Sequence, residues 1–514
     1  MRQSILISRP LRYGVLVALS TLLGWAQSPQ KAGLQYLQTI SIPGWKATGT
    51  TGNANVDLLG YNPVTRMMYL ADRTNNGIDV IDTHTNGVVG LIKMPPTSVQ
   101  LVPPTGPNGV WVAVNLQQLV VTDGLQSVYV WDLRAPQAQP DIYTFPTSMG
   151  TDTDGIAYDP INQTVYVVTD NPPEYLIGIS LPYKKVVTTA ALPASSDLIA
   201  FNPTDGKIYV AAEDADGSNN NAAAGVMAFD PATGNFTTVA KVGPPCPGHG
   251  IDIDPVTNVA VVGCAASAAA VANLAVNLST GATKFFPDVG GTDAIVFNPN
   301  TRRFYMNGSN YNSSAAAGTT LNCPTSNSAT NIANKRPGVI GVVDAFGGAP
   351  AELNGLVCSG GGHIIGVDPI TNLVYLPTSQ YPLDPAANTS GANGVAVFLD
   401  TAPPAQAPVT HAAATLAAIP GSGGSAAGTV QFNLVGRRMH LTAGASGLSS
   451  SGVAAWITVP TTVTDEFLAC AVNPANQTAV CSEDLLGDPL IGAVATLSVD
   501  SGSGGVAVAR GAVH

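Results

Sequence analysis

The sequence predicts an all-β protein in which a seven-bladed β-propeller, closed by an N-terminal strand, is followed by a small β-sandwich domain. Three observations lead to this fold class. One short line of residues recurs along the first 400 positions, strand-forming runs follow each copy, and the composition shifts to small residues near position 403. Only 11% of the residues are charged, while Gly (54) and Pro (39) are abundant, which favours many short strands and turns over helices.

The first 26 residues match the pattern of a secretory signal peptide. Arg2, Arg9 and Arg12 precede an apolar run at 15–23, and a small-residue site ends at Ala26. The apolar run is too short to span a bilayer. We therefore expect a secreted or periplasmic protein without a transmembrane segment.

The chain is acidic, with a formal net charge of -12, and removal of the three leader arginines would bring it to -15. Such a charge disfavours binding to nucleic acid or to an anionic membrane. We expect no nucleic-acid partner.

The recurring line places a polar residue six positions before a proline, with mainly apolar residues between them. It reads D-L-L-G-Y-N-P from Asp57, D-G-I-A-Y-D-P from Asp154, D-L-I-A-F-N-P from Asp197, H-G-I-D-I-D-P from His249, D-A-I-V-F-N-P from Asp293 and H-I-I-G-V-D-P from His363. Each copy continues with a turn and three further β runs, and four strands per unit make a propeller blade. The repeat therefore predicts a propeller over residues 34–402.

The count of seven blades depends on a degenerate copy between Asp57 and Asp154. Ser98 stands six positions before Pro104 and is interpreted as the start of blade 2, with 110–114 as its second strand and 127–132 as its third. The last unit ends after its third strand, at Asp400. The segment 37–43 resembles the fourth strands elsewhere, so we expect it to complete blade 7 and remove two open sheet edges.

The residues N-P-V-T-R-M-M-Y-L-A-D-R from Asn62, with I-D-V-I-D-T-H-T-N-G-V-V from Ile78, resemble the YVTN-type β-propeller repeat. The resemblance covers residues 34–402 and implies the fold. It implies no single activity, because that family includes binding proteins and scaffolds and has lactonase-like enzymes as neighbours.

Residues 403–410 read as a stiff Pro/Ala linker, and 411–514 as a β-sandwich accessory domain. The stretches G-T-V-Q-F, M-H-L-T-A-G-A-S-G-L and G-G-V-A-V-A-R-G-A-V resemble copper/zinc superoxide dismutase and the related CHRD domain. The metal-binding His-x-His of that family would fall at 452–457, where the chain reads G-V-A-A-W-I. Dismutase activity is therefore not expected.

The polar residues that open the innermost strands are the candidate ligand-binding residues, because they should ring one mouth of the central channel. They are Asp57, Asp154, Asp197, His249, Asp293 and His363, with Ser98 in the degenerate blade. A ring of carboxylates and imidazoles could hold a divalent metal ion, the one cofactor that the residues suggest. We expect His249, His363, Asp293 and Asp57 as its ligands, since they come from consecutive blades. The alternative is that these residues only cap their strands.

Three long insertions, at 213–224, 308–337 and 379–393, fall in loops that open on the same face as this ring. Long loops grouped on one face are typical of binding surfaces. No G-x-S-x-G, H-E-x-x-H or phosphate-loop motif is present, and no catalytic residue is identified. The sequence favours an exported, non-catalytic binding or scaffold protein that recognises a ligand or protein on this insertion-bearing face. The alternative is a metal-dependent hydrolase of the lactonase-like propeller type.

Six cysteines in an exported chain favour disulfide bonds. Their positions in the repeat predict three pairs: Cys246 with Cys264, Cys323 with Cys358, and Cys470 with Cys481.

Overall fold

The protein is described here from a computed structural model. The described residues are 33–45, 55–96, 106–213, 225–242, 246–264, 273–311, 339–346, 349–353, 357–358, 364–378, 394–420, 422, 425–448, 454–500 and 505–514. Residues 1–26, interpreted above as a signal peptide, lie outside these ranges, as do Ser98, Cys323 and His363. The insertions also lie outside them at 214–224, 312–337 and 379–393.

Seven antiparallel sheets form the blades of a propeller, and β1 (Leu34–Ser41) belongs to the last of them. In blades 1 to 3 the strands run, from inside to outside, β2 Val56–Asn62, β3 Met67–Asp72, β4 Gly77–Asp82, β5 Gly87–Lys93; β6 Pro107–Ala113, β7 Gln118–Asp123, β8 Ser127–Asp132, β9 Asp141–Thr144; β10 Asp152–Asp159, β11 Thr164–Asp170, β12 Tyr175–Ser180, β13 Lys185–Ala191. A short 3₁₀ helix, Val114–Leu116, lies between β6 and β7.

The remaining blades repeat this order. Their strands are β14 Ser196–Asn202, β15 Lys207–Ala212, β16 Gly225–Asp230, β17 Asn235–Lys241; β18 Gly248–Asp254, β19 Val259–Cys264, β20 Asn273–Asn277, β21 Thr283–Phe286; β22 Val289–Asn298, β23 Arg303–Tyr311, β24 Val339–Asp344, β25 Ala351–Glu352, β26 Val357–Cys358; β27 Gly366–Asp368, β28 Leu373–Thr378, β29 Gly394–Asp400. In blade 6 both short strands, β25 and β26, pair with β24.

The N-terminal strand closes the propeller, as predicted. Strand β1 pairs antiparallel with β29 from Leu34 opposite Asp400 to Ser41 opposite Gly394, and so supplies the fourth strand of blade 7. Strand β29 is thus paired on both sides, with β28 and with β1, as the third strand is in the other blades.

Blade 2 differs from the prediction by one strand. The run at 110–114 falls at the end of the innermost strand β6, and the second strand is β7, which the sequence interpretation did not assign. Val110 pairs with Val121 as Leu59 pairs with Leu70 in blade 1, so Asn108, and not Ser98, corresponds to Asp57. The interpretation failed because blade 2 has no proline after its innermost strand, and the proline was the marker used to align the copies.

The recurring Asn/Asp-Pro pair builds the turn that ends the innermost strand in six of the seven blades. The side-chain Oδ1 of Asn62 accepts hydrogen bonds from the amides of Val64 (3.0 Å) and Thr65 (3.3 Å), and Asp159 Oδ1 accepts one from Ile161 N at 2.8 Å. These are Asx turns, in which the side chain replaces a backbone acceptor. In all seven blades, blade 2 included, the connection to the second strand contains a residue with positive φ: Arg66, Gln117, Gln163, Gly206, Asn258, Arg302 and Asn372.

The apolar core of the propeller lies between adjacent blades. Tyr69 and Ile78 of blade 1 belong to one buried cluster with Val112 and Tyr129 of blade 2. At the closing seam Asp368, fully buried at the end of β27, accepts hydrogen bonds from Tyr61 (2.7 Å) and from Thr83 of blade 1. The seam between the last and first blades is therefore held by polar bonds as well as by β1.

The C-terminal part forms a separate all-β unit, in which eight antiparallel strands close on themselves. The strand order is β30-β31-β32-β35-β34-β33-β36-β37. The bounds are β30 His411–Ala418, β31 Ala427–Val435, β32 Arg438–Ser446, β33 Ala455–Pro460, β34 Asp465–Asn473, β35 Thr478–Asp484, β36 Val494–Asp500 and β37 Gly505–Ala512. The predicted two-layer all-β domain is thus present, with its sheet edges joined into a closed barrel.

The barrel contacts the propeller on the face where the proline turns lie. Tyr183 in the β12–β13 turn donates a hydrogen bond to Asp500 at 2.7 Å, and Gly505 N donates to Asn162 O in the β10–β11 turn at 3.4 Å. Two of the predicted disulfides are confirmed, Cys246–Cys264 in blade 5 and Cys470–Cys481 in the barrel. The bond between Cys323 and Cys358 stays a prediction. No helix in the described part of the chain has the length and hydropathy of a membrane span.

Candidate functional site

In six of the seven blades a β-bulge in the innermost strand places one polar side chain at the channel mouth. In six blades the pairing of the innermost strand with the second strand is interrupted by a bulge, for example between Val56 and Leu59 and between Gly248 and Ile251. The first residue inside the bulge carries the polar side chain. Such a bulge re-aims a side chain out of the regular pleat. The six described residues at this position, called the channel-mouth ring below, are Asp57, Asn108, Asp154, Asp197, His249 and Asp293.

A glycine that follows the ring residue allows neighbouring innermost strands to approach each other closely. A Cβ atom on Gly155 would lie 2.4 Å from Asp197 O, and one on Gly250 would lie 2.1 Å from Asp293 O. Real Cβ atoms do not approach a carbonyl oxygen so closely, so a glycine after the ring residue lets the next blade come near. The G of D-G-I and H-G-I in the repeat therefore serves the spacing of the ring.

The strongest polar cluster in the ring is centred on His249. Its Nδ1 lies 3.0 Å from Asp197 Oδ2 and 3.2 Å from Asp293 Oδ1, and its Nε2 lies 2.9 Å from Glu213 Oε1. Asp197 and Asp293 come from the blades on either side. Glu213 follows directly after β15, where one of the long insertions begins.

The protonation states in this cluster depend on one another. Burial would lower the pKa of His249, but hydrogen bonds to Asp197, Asp293 and Glu213 outweigh it and raise that pKa far above its usual range. Burial and the adjacent Asp293 raise the pKa of Asp197, which His249 in turn lowers. With carboxylates at both ring nitrogens, His249 is an imidazolium whose Nδ1–H donates to Asp197 and Asp293 and whose Nε2–H donates to Glu213.

The other side of the ring is an arginine-centred network. Arg73 Nη2 donates to Asp57 Oδ2 and to Asn108 Oδ1, and Asn108 Nδ2 donates in turn to Asp152 Oδ1 at 2.8 Å. Asp154 lies between the two networks, and burial together with Asp197, Asp57, Asp152 and Asp293 raises its pKa well above the usual range. The ring thus carries more acidic groups than cations.

The predicted ligands are only partly brought together. Of the four expected metal ligands, His249 and Asp293 are in contact, while Asp57 is paired with Arg73. The second carboxylate beside His249 is Asp197, which was expected in the ring but not among the metal ligands. Asp197, His249 and Asp293 each offer a ligand atom within 4.8 Å of the others, a spacing that could hold a metal ion. Asp154 lies in the ring without contacting His249, and His363 lies outside the described residues.

The sequence interpretation missed Glu213, Asn108, Arg73 and Asp152. Asn108 could have been found from N-G-V, which matches D-G-I and H-G-I without the terminal proline. Glu213 and Arg73 share a signal as well, because each directly follows the second strand of its blade. Alignment on second strands in addition to first strands would have placed both at the same mouth.

A cavity of about 310 Å³, called the channel cavity below, lies on the propeller axis between the ring and the barrel. Its walls are the innermost strands beyond the ring residues, with side chains such as Ile156, Leu198 and Ile251. Its far end is lined by the proline turns and by the β33–β34 turn of the barrel, including Val463 and Asp465.

Comparison with known proteins identifies no family for this chain. No protein-family model matches the chain, and no curated protein matches it in sequence. A chain in a solved structure described as "Crystal Structure of Mitotic Checkpoint Complex" is similar over 73% of this chain and 96% of that chain, with a TM-score of 0.47 and 10% sequence identity. At this level of similarity the match says nothing about what the present protein binds.

Proposed function

We propose that this chain is an exported binding protein whose channel-mouth ring holds a divalent metal ion and, through it, a polar ligand or protein partner on the insertion-bearing face. The observation that carries the proposal is the convergence of Asp197, Asp293 and Glu213 on His249. The YVTN-type resemblance agrees with a binding role, and the two disulfide bonds agree with an extracytoplasmic location.

The ligand set suits a borderline divalent metal. One imidazole nitrogen and two or three carboxylate oxygens are donors that Mn²⁺ and Zn²⁺ accept. Glu213 is the first residue of the insertion 213–224, so an ion at this place would lie next to the end of β15 on the insertion-bearing face. The imidazolium of His249 now occupies the middle of the carboxylates, and an ion would replace its proton as the counter-charge.

Titration calorimetry of the whole protein with Mn²⁺ and with Zn²⁺ tests the proposal. We expect one ion per chain, with release of about one proton, seen as a binding enthalpy that depends on the ionisation enthalpy of the buffer. The variant His249→Ala should bind at least ten-fold more weakly. His440→Ala is the matched control, because His440 pairs with Asp484 (2.7 Å) on the exposed surface of the barrel.

The double variant His249→Ala with His363→Ala separates the proposal from the capping alternative. If it folds normally and no longer binds metal, the ring is a ligand site. If it unfolds, the histidines are structural caps of their strands. Binding of neither ion by the parent protein would contradict the proposal directly.

A metal-dependent hydrolase is the second candidate, favoured by the position of the channel cavity directly beyond the ring. A metal ion among Asp197, His249 and Asp293 could activate water beside a substrate in that space. The experiment is a lactone and ester hydrolysis assay of the metal-loaded protein. Turnover that Asp293→Asn abolishes would favour the enzyme, while metal binding without turnover favours the binding protein.

A further inference from the structure

The channel cavity has an unusual wall at one level along the innermost strands. Six residues that line the cavity stand two positions before the end of their innermost strand, and three of them are small: Gly60, Ala200 and Gly366. The exceptions among them are Val296, Asp252 and Trp111. Trp111 and Asp252 are therefore the aromatic and the charged residue at this level of the wall.

Trp111 lines this space without being covered. Its side chain is 42% exposed, although the flanking Val110 and Val112 of the same strand are buried between blades. A tryptophan that presents this much surface to a cavity offers an aromatic face to whatever occupies it. Indole is the best aromatic partner for a cation.

Two carboxylates belong to the far end of the same cavity. Asp252 comes from blade 5, and its oxygens accept hydrogen bonds from the amides of Ile253 (2.8 Å) and Phe297 (2.7 Å). Asp465 comes from the start of β34 in the barrel, and within the described residues its side chain has no hydrogen-bond or ion-pair partner. Burial, with Asp252 and Asp159 nearby, raises the pKa of Asp465 to about 7.

No cationic side chain offsets these acids within the cavity. The described residues that line it include neither Lys, Arg nor His. An apolar cavity with a few convergent polar groups is the usual form of a small-molecule site. Here all the uncompensated charge is negative, and one wall is an indole.

We propose that the channel cavity binds a small organic cation, an alkylammonium or quaternary ammonium compound, with its charge against Asp252 and Asp465 and its apolar groups against Trp111 and the aliphatic walls. A hard divalent metal is a poor occupant, because it needs six or more oxygen ligands and most of this wall is carbon. The inference goes beyond the metal site proposed for the ring and assigns the barrel a role, since Asp465 completes the site.

The test uses the whole protein and two probes of the same shape. Choline carries a trimethylammonium group, and 3,3-dimethylbutan-1-ol carries a neutral tert-butyl group in its place. We expect choline to bind, with a change in tryptophan fluorescence, and the neutral alcohol to bind at least ten-fold more weakly. Equal binding of the two probes, or no choline binding at millimolar concentrations, would overturn the proposal.

Three variants locate the site. Asp465→Asn and Trp111→Leu should each weaken choline binding at least ten-fold, and Asp484→Asn, on the exposed barrel surface, is the matched control and should not. If Trp111→Leu fails to fold, Trp111→Phe keeps an aromatic ring and should bind with intermediate affinity. Unchanged choline binding by folded Asp465→Asn refutes the site. Metal binding at the ring is measured separately with His249→Ala, so either proposal can fail alone.

Discussion

At the scale of single residues, buried polar groups decide how the blades fit together. Asp368 is the clearest case, because it lies at the seam between blade 7 and blade 1 with no exposed surface. It accepts hydrogen bonds from Tyr61 (2.7 Å), Thr83 (2.9 Å) and Arg66 (3.1 Å), and so joins one blade to the next.

Replacement of this carboxylate should be strongly destabilising. We expect Asp368→Ala to lower the free energy of unfolding by about 3 kcal/mol, because removing one member of a buried charged pair leaves its partners unsatisfied. Asp132→Ala is the control: Asp132 pairs with Arg134 at 2.7 Å on the exposed surface, where solvent screens the pair and the expected loss is much smaller. Urea unfolding of both variants checks the difference. A similar loss for the two would contradict the role of the seam.

The residue scale also shows what sequence could predict about the site. The ring positions of Asp154, Asp197, His249 and Asp293 follow from the sequence because each stands six residues before the proline of the recurring line, and the structure has a bulge at each of them. Their pairing could not be predicted, since the contact of His249 with Asp197 depends on side-chain rotamers. Glu213 was missed because it comes from the second strand and not from the repeated line.

At the scale of strands and blades, the completion of blade 7 by β1 should matter most for the stability of the propeller. A protein lacking residues 27–45 loses the strand opposite β29, which leaves a sheet edge open in blade 7. We expect aggregation, measured by light scattering, or a non-cooperative thermal transition, measured by circular dichroism. A shorter deletion, of residues 27–32, spares β1 and is the control. A truncated protein as stable as the parent would show that β1 is dispensable.

The disulfide in blade 5 should contribute measurably to stability. Cys246 and Cys264 are 18 residues apart, and closing a loop of this size stabilises a fold by roughly 3 kcal/mol in the chain-entropy model. We expect the double variant Cys246→Ala with Cys264→Ala to lose about that amount. The pair Cys470→Ala with Cys481→Ala should act on the barrel transition instead. Non-reducing peptide mapping tests the remaining bond, Cys323 with Cys358.

Blade assignment shows where sequence reasoning succeeded and where it failed. Six blades were located by their Asn/Asp-Pro turns, whose Asx hydrogen bonds recur in the structure at residues such as Asn62 and Asp159. Blade 2 replaces that turn with the 3₁₀ helix Val114–Leu116. Its innermost strand, β6, was therefore mistaken for the second strand of the blade. The count of seven was nevertheless correct, because the third strand, β8, was recognised.

At the scale of the whole molecule, the many buried acids predict an unusual dependence of stability on pH. Burial is the main cause that raises the pKa of each of Asp159, Glu174, Asp465 and Glu466 to about 7. In the unfolded chain these groups ionise near pH 4. Between about pH 4.5 and 7.5 the folded state therefore holds protons that the unfolded state has released, and stability must fall as pH rises.

We expect the melting temperature to fall by several degrees between pH 5 and pH 8, measured at constant ionic strength without metal. The variant Glu466→Gln should flatten part of this dependence, because an amide keeps the neutral form of the side chain. A melting temperature that rises over this interval would mean that these carboxyls are ionised in the folded protein.

A metal ion at the channel-mouth ring would be located by anomalous diffraction from crystals of the whole protein soaked in Mn²⁺. We expect one anomalous peak within bonding distance of Asp197, His249 and Asp293, weakened in crystals prepared at pH 5, where protons compete for the same ligands. A structure without a peak at the ring, with His249 still bridging its three carboxylates, would contradict the proposed metal site.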